Sequence, residues 1–153
     1  MKRAIAYLSI SAAVFLIALF FMYIGFISPA KNGADSPFIR MTVCTLLCIT
    51  VIGFSTRYIH LITGLAGLDS AHLNLGFTIA ILLAIFTEYV SFGNSTLEPY
   101  YSALADRYKD GVGEYFYTYC KYVFMGGQAL IAVRTFIHSA LLGLIKTIIK
   151  HCD

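Results

Sequence analysis

AIAYLSISAAVFLIALFFMYIGFI, residues 4–27, runs for about 24 positions without a charge. About 20 predominantly apolar residues suffice to cross the hydrocarbon core of a bilayer. At about 1.5 Å of rise per residue the stretch reaches roughly 36 Å as a helix. Lys2 and Arg3 precede it, like the charged head of a signal peptide. The run exceeds the about 7–15 apolar residues of a cleavable leader, and no small-x-small site follows, so a retained anchor is expected.

Working outward, the rest of the chain repeats the pattern. Of 153 residues, 59% are hydrophobic and 12% charged. A soluble domain carries about 25% charged residues, so polar material to coat a globule in water is lacking. The net charge of +3 is dispersed, and with no dense basic cluster a nucleic-acid partner is not expected. The expectation is one membrane domain over residues 1–153: an all-α integral membrane helix bundle. Spans fall at about 4–27, 41–66, 71–92 and 119–143, with an outer loop over 94–118.

The boundaries come from punctuation. Ser28, Pro29, Asn32, Gly33, Asp35, Ser36 and Pro37 form a polar turn after the first span. Met41 to Thr56 is uncharged, and Arg57 then marks an interface to which a long side chain can snorkel. Tyr58 to Leu68 either continues this helix at a tilt or lies along the surface, which would leave three spans. Gly64, Gly67 and Asp69-Ser70 mark the next turn. Leu75 to Thr87 is strongly apolar, and Arg134 interrupts the last span. With the N-terminus in the cytoplasm, Lys2, Arg3, Arg57, Arg134, Lys146 and Lys150 share the cytoplasmic side. Lys31, Arg40, Arg107, Lys109 and Lys121 lie opposite, a thin margin for the positive-inside rule. The expectation is a bacterial inner (plasma) membrane protein with both termini cytoplasmic, and residues 137–149 emerging as a basic interfacial helix.

Within the outer loop, Glu98-Pro99 starts a short helix and Asp110-Gly111 stops it. Tyr101, Leu104, Ala105 and Tyr108 recur at helical spacing. A short amphipathic interfacial helix fits, with Tyr100, Tyr115, Tyr117, Tyr119 and Tyr122 at headgroup depth. Asn94-Ser95-Thr96 matches the glycosylation triplet but abuts a span.

Ionisable groups inside a membrane are functional candidates by default. Counting inward from the outer ends of spans two and four places Arg57 and Arg134 at one depth, with His60 and His138 a turn further on. One reading is a site for an anion or lipid headgroup, held by Arg57, Arg134, His60 and His138. Another is a b-type haem ligated by His60 and His138, with propionates on the arginines. The plain reading is interfacial anchoring. No cofactor is expected, haem b being the minority alternative, and no compact metal-ligand set stands out. Glu88 and Lys121 lie at similar depth, where an intramembrane ion pair or simple interfacial solvation is expected, a proton relay at Glu88 being the alternative. Gly126-Gly127-Gln128 in span four, and Ser9, Ser11, Ala12 and Ala13 in span one, suit close helix packing, with the glutamine bonding across an interface.

Cys44 and Cys48 share a face near the outer end of span two, and Cys120 begins span four on the same side. A Cys44–Cys120 disulfide is conceivable in an oxidising compartment. Four spans with such cysteines resemble the quinone-reducing oxidases that recharge periplasmic disulfide donors, which would imply a quinone-linked thiol oxidase. The chain departs from them in having Cys44-Thr45-Leu46-Leu47-Cys48 instead of C-x-x-C, and one cysteine instead of a pair in the second outer loop.

No catalytic dyad, triad, metal set or nucleotide loop emerges. The leading expectation is a multi-pass protein without enzymatic activity. It would act by helix or loop contact with other membrane proteins or its own copies, as a subunit of a transport, secretion or conjugation assembly or as an immunity or exclusion factor. The alternatives are membrane electron transfer and a small oligomeric channel or transporter.

Overall fold

The computed structural model describes residues 2–33, 36–65, 67–93, 97–107 and 112–152, with the side chains at 60, 62–65, 105, 112–114 and 151–152 outside that set. Among these residues there are helices and no strands. The elements are α1 (Lys2–Met22), α2 (Ser28–Asn32), α3 (Phe38–Leu65), α4 (Ser70–Phe92), α5 (Leu97–Arg107) and α6 (Val112–Cys152). Four helical stretches are long and apolar enough to cross a membrane: Lys2–Asn32, Phe38–Ile59, Ser70–Phe92 and Tyr115–Lys150. The chain is thus an all-α membrane bundle, as composition implied. In hydrocarbon only such internally hydrogen-bonded segments satisfy the backbone.

Two boundaries differ from expectation, and the one after Arg57 takes the first of its two readings. The first span does not stop at Ile27. Tyr23–Ile27 forms a π-helical segment that leads straight into α2. Pro29 brings no N–H to this turn, and the widened turn carries the chain through it. Gly33, at φ 66°, then ends α2 in the left-handed conformation that glycine adopts without a Cβ penalty. Secondly, α6 runs unbroken through residues 137–149, with no turn onto a surface. Past Arg57, α3 continues as one helix.

The four long helices stand in a square. α1 packs on α3 and α4, and α6 packs on the same two. α3 and α4 are consecutive in sequence yet lie across a diagonal. Contacts such as Gly25 with Cys44, Gly76 with Ser11 and Gly127 with Ile49 mark where backbones approach most closely. Small residues allow this, and dispersion between the close surfaces holds helices together where lipid removes the hydrophobic driving force.

α4 and α6 carry a polar seam down their shared face. Glu88 pairs with Gln128, the Thr78 and Thr135 hydroxyls lie 2.9 Å apart, and Ser139 donates to the Ala71 carbonyl at 2.9 Å. The seam ends at Asp69, which caps α4 by accepting from the Ala71 N–H at 3.0 Å. Lys146 reaches the same carboxylate at 2.6 Å, His72 Nδ1 lies 3.1 Å away, and the Asp69 N–H donates to the Tyr7 hydroxyl at 2.6 Å. Three helices therefore meet at this turn. We call its end of the bundle the terminal end and the opposite one the loop end.

The Lys146 hydrogen bond, then the Ala71 N–H and His72, hold the Asp69 carboxyl down to about 2. A depressed acid stabilises the fold above its unfolded pKa of about 3.9, and that contribution is lost as pH falls towards 2. Both side chains are partly solvated, at 58% and 33% exposure, so the contribution is under about 1 kcal/mol. The melting-temperature gap between wild type and Lys146→Met in detergent should be small at neutral pH and close between pH 4 and 2. A gap unchanged over that range would refute the assignment.

At the loop end the amphipathic stripe of α5 does more than rest on an interface. Leu97, Tyr101 and Leu104 are buried, and the Tyr101 hydroxyl donates to the Phe26 carbonyl within the π segment at 3.1 Å. Burial pushes the Tyr101 phenol above its ordinary value. Its ring stacks on Tyr117 at 4.0 Å, and Phe26 meets Phe92 and Phe124 edge to face. Tyr115, Tyr119 and Tyr122 point outward as expected of interfacial tyrosines, whereas Tyr117 is buried. Tyr108, Asp110, Gly111 and the 94–96 triplet lie outside the described residues.

Candidate functional site

Arg57, Arg134 and His138 line one cleft towards the terminal end, together with Thr56, Asn74 and Thr135. α3 and α6 run in the same direction, and contacts of Ile49 with Gly127 and of Ile131 with Gly53 set their register. The same offset brings Arg57 level with Arg134. The side chain of His60 lies outside the described residues.

The cleft has a polar floor and a cationic rim. Asn74 and Thr135 are 1% and 4% exposed. Thr135 donates to the Ala132 carbonyl at 2.9 Å and faces Thr78, and Thr56 bonds the carbonyls of Ile52 and Gly53. These hydroxyls are thus occupied by backbone, as is usual for Thr in apolar helices. Arg57 and Arg134 are solvent-exposed, and the Arg57 guanidinium lies 5.8 Å from the Tyr58 ring centroid. Among the described residues no carboxylate lines the cleft. Its volume is about 180 Å³, below the roughly 300–1,000 Å³ of sites for drug-sized ligands. That size matches a phosphate or carboxylate.

The other sequence candidates have separate settings. Glu88 and Gln128 are both fully buried, and the Gln128 amide donates to the two carboxylate oxygens at 2.9 and 3.0 Å. The expected Glu88–Lys121 pair does not form. Lys121 instead lies over the Phe92 and Tyr117 rings at 5.7 and 6.0 Å. Two helical turns separate Lys121 from Gln128, so only the deeper residue reaches Glu88. Cys44, Cys48 and Cys120 are buried free thiols, so no Cys44–Cys120 bridge is formed. Cys44 packs against Gly25, consistent with the small-hydrophobe role of free cysteine. Among the described residues no three His, Cys, Asp or Glu side chains cluster.

Sequence reasoning did not single out Asn74, Thr78, Thr135 or Tyr7, and it read Asp69 only as a turn marker. A signal existed for the first two: polar residues one turn apart within an apolar run share a face, and in a membrane that face seeks a partner.

Comparison with protein-family models, curated proteins and solved structures found no match for this chain. The fold and the site define a multi-pass membrane protein of four helices with a cationic cleft near its terminal end.

Proposed function

We propose that this protein works by contact, without catalysis, as a small accessory bundle of a bacterial inner membrane. In this reading it packs beside another membrane protein or its own copies, as subunits of transport, secretion and conjugation assemblies and immunity or exclusion factors do. Its cleft holds the anionic headgroup of a cytoplasmic-leaflet lipid. The observation that carries the reading is the convergence of Arg57, Arg134 and His138 on a cleft without a carboxylate. Two guanidiniums in reach of one site match a phosphate, since each presents several donors in a fixed fork. Anionic lipid surfaces attract such groups from the cytoplasmic side.

Native mass spectrometry of the protein extracted in gentle detergent tests both parts. Wild type should retain phosphatidylglycerol or cardiolipin in preference to phosphatidylcholine, together with the mass of a partner chain. The double variant Arg57→Gln/Arg134→Gln, altered only at exposed positions, should lose about tenfold in anionic-lipid retention. Equal retention by the variant would overturn the lipid reading, and a lone monomer under all mild conditions would overturn the contact reading.

A further inference from the structure

The loop end holds a second cavity, independent of the cationic cleft. Its volume is about 410 Å³, and Glu98, Ser102, Tyr117, Thr118 and Lys121 contribute to its wall. This falls within the range of small-molecule pockets.

Three features there lack partners. The Tyr117 hydroxyl is buried, and no hydrogen bond reaches it. The ring cannot swing out to water, because it is stacked on Tyr101 with the planes 9° apart. A buried hydroxyl left without a partner is destabilising, so a group that supplies one is favoured at this point. Lys121 rests over two aromatic faces and has no carboxylate within ion-pair distance among the described residues. Glu98, in the first turn of α5, has no cation within ion-pair distance among the described residues. Two opposite charges thus line one cavity without joining each other.

We infer that this cavity binds a zwitterion that carries a primary ammonium and an anionic group a few ångströms apart. Glu98 takes the ammonium. Lys121 and the Tyr117 hydroxyl take the anion, the hydroxyl donating to it. Ser102 and Thr118 add neutral hydrogen-bonding capacity at the wall. A like-charged ligand would leave one of the two charged side chains uncompensated, and an apolar one would leave both charges and the phenol unsatisfied. Two sources share this chemistry: the headgroup of phosphatidylethanolamine, reachable from the membrane, and a free amino acid, reachable from water.

Purified full-length protein would be examined in two arms. Native mass spectrometry would compare phosphatidylethanolamine with phosphatidylglycerol on the Arg57→Gln/Arg134→Gln background, where the cationic cleft no longer retains anionic lipid, and calorimetry would titrate glycine and serine. Preference for phosphatidylethanolamine alone supports the site with a lipid source, and amino-acid binding alone supports it with a soluble source. In whichever arm binds, Glu98→Gln and Lys121→Gln should each weaken binding about tenfold. Tyr117→Phe, which keeps the stacked ring, should weaken it severalfold. Circular dichroism and melting would establish that each variant is folded. Failure of both arms for the wild type, or binding unchanged in folded Glu98→Gln and Lys121→Gln, would overturn the proposal. Loss of the cationic cleft in Arg57→Gln/Arg134→Gln should leave this binding intact.

Discussion

Replacing Gln128 with leucine will destabilise the bundle by about 1–3 kcal/mol, the cost of leaving a buried acceptor without its donor. The bond itself is the smaller part, since hydrogen bonds between membrane helices average about 0.6 kcal/mol. The larger part is the stranded carboxyl. Glu88 is fully buried, and both of its oxygens accept from the Gln128 amide. Removing both partners should therefore hurt less than removing one. The double variant Glu88→Leu/Gln128→Leu is expected to recover most of the loss, because neither half of the pair is then left buried without its partner. Unfolding by added SDS in mixed micelles measures all three proteins on one scale. A single variant as stable as wild type, or a double variant no better than the single, would show that the pair does not hold α4 to α6.

Gly25→Ala should cost a comparable amount through a different cause. A methyl built on Gly25 would meet the Cys44 Cβ at 2.8 Å. Both atoms are bonded directly to backbone carbons, so neither can turn aside, and the helices themselves must part. Overpacking of this kind costs about 1–3 kcal/mol. Gly127 offers the internal contrast. A methyl there runs into the Ile49 Cδ1 and Cγ1 atoms, and the terminal methyl can turn away about χ2 without moving the backbone, so Gly127→Ala should be the milder change. Adding Cys44→Gly to Gly25→Ala removes the obstructing atom and should restore part of the melting temperature. Unchanged melting in Gly25→Ala would mean that the two backbones are free to separate at that crossing.

Much of the architecture was legible because the relevant signals are local. The uncharged runs delimit four spans. The level of Arg57 with Arg134 followed from counting residues, and the spacing of Leu97, Tyr101 and Leu104 marks the buried stripe of α5. Where expectation failed, the outcome depended on neighbours. Glu88 and Lys121 read as similar in depth, but Gln128, two turns further along the same face of α6, is the residue that meets Glu88, and Lys121 lies on aromatic faces instead. Cys44 and Cys120 share an end of the bundle, yet both remain free thiols. Tyr117 reads as an interfacial tyrosine along with Tyr115 and Tyr119, and only its place on the inward face of α6 buries it.

Residence in a membrane and an all-helical state were determined by sequence alone. Span length against bilayer thickness is a property of one dimension, and hydrocarbon leaves the backbone few other ways to satisfy its polar groups. Tertiary structure alone decided that consecutive α3 and α4 lie on a diagonal, that α4 is stitched to α6, and that α5 plugs onto the π segment of α1. Those outcomes depend on the order of helices around the square and on the rotation of each about its axis. Neither is encoded in distance along the chain.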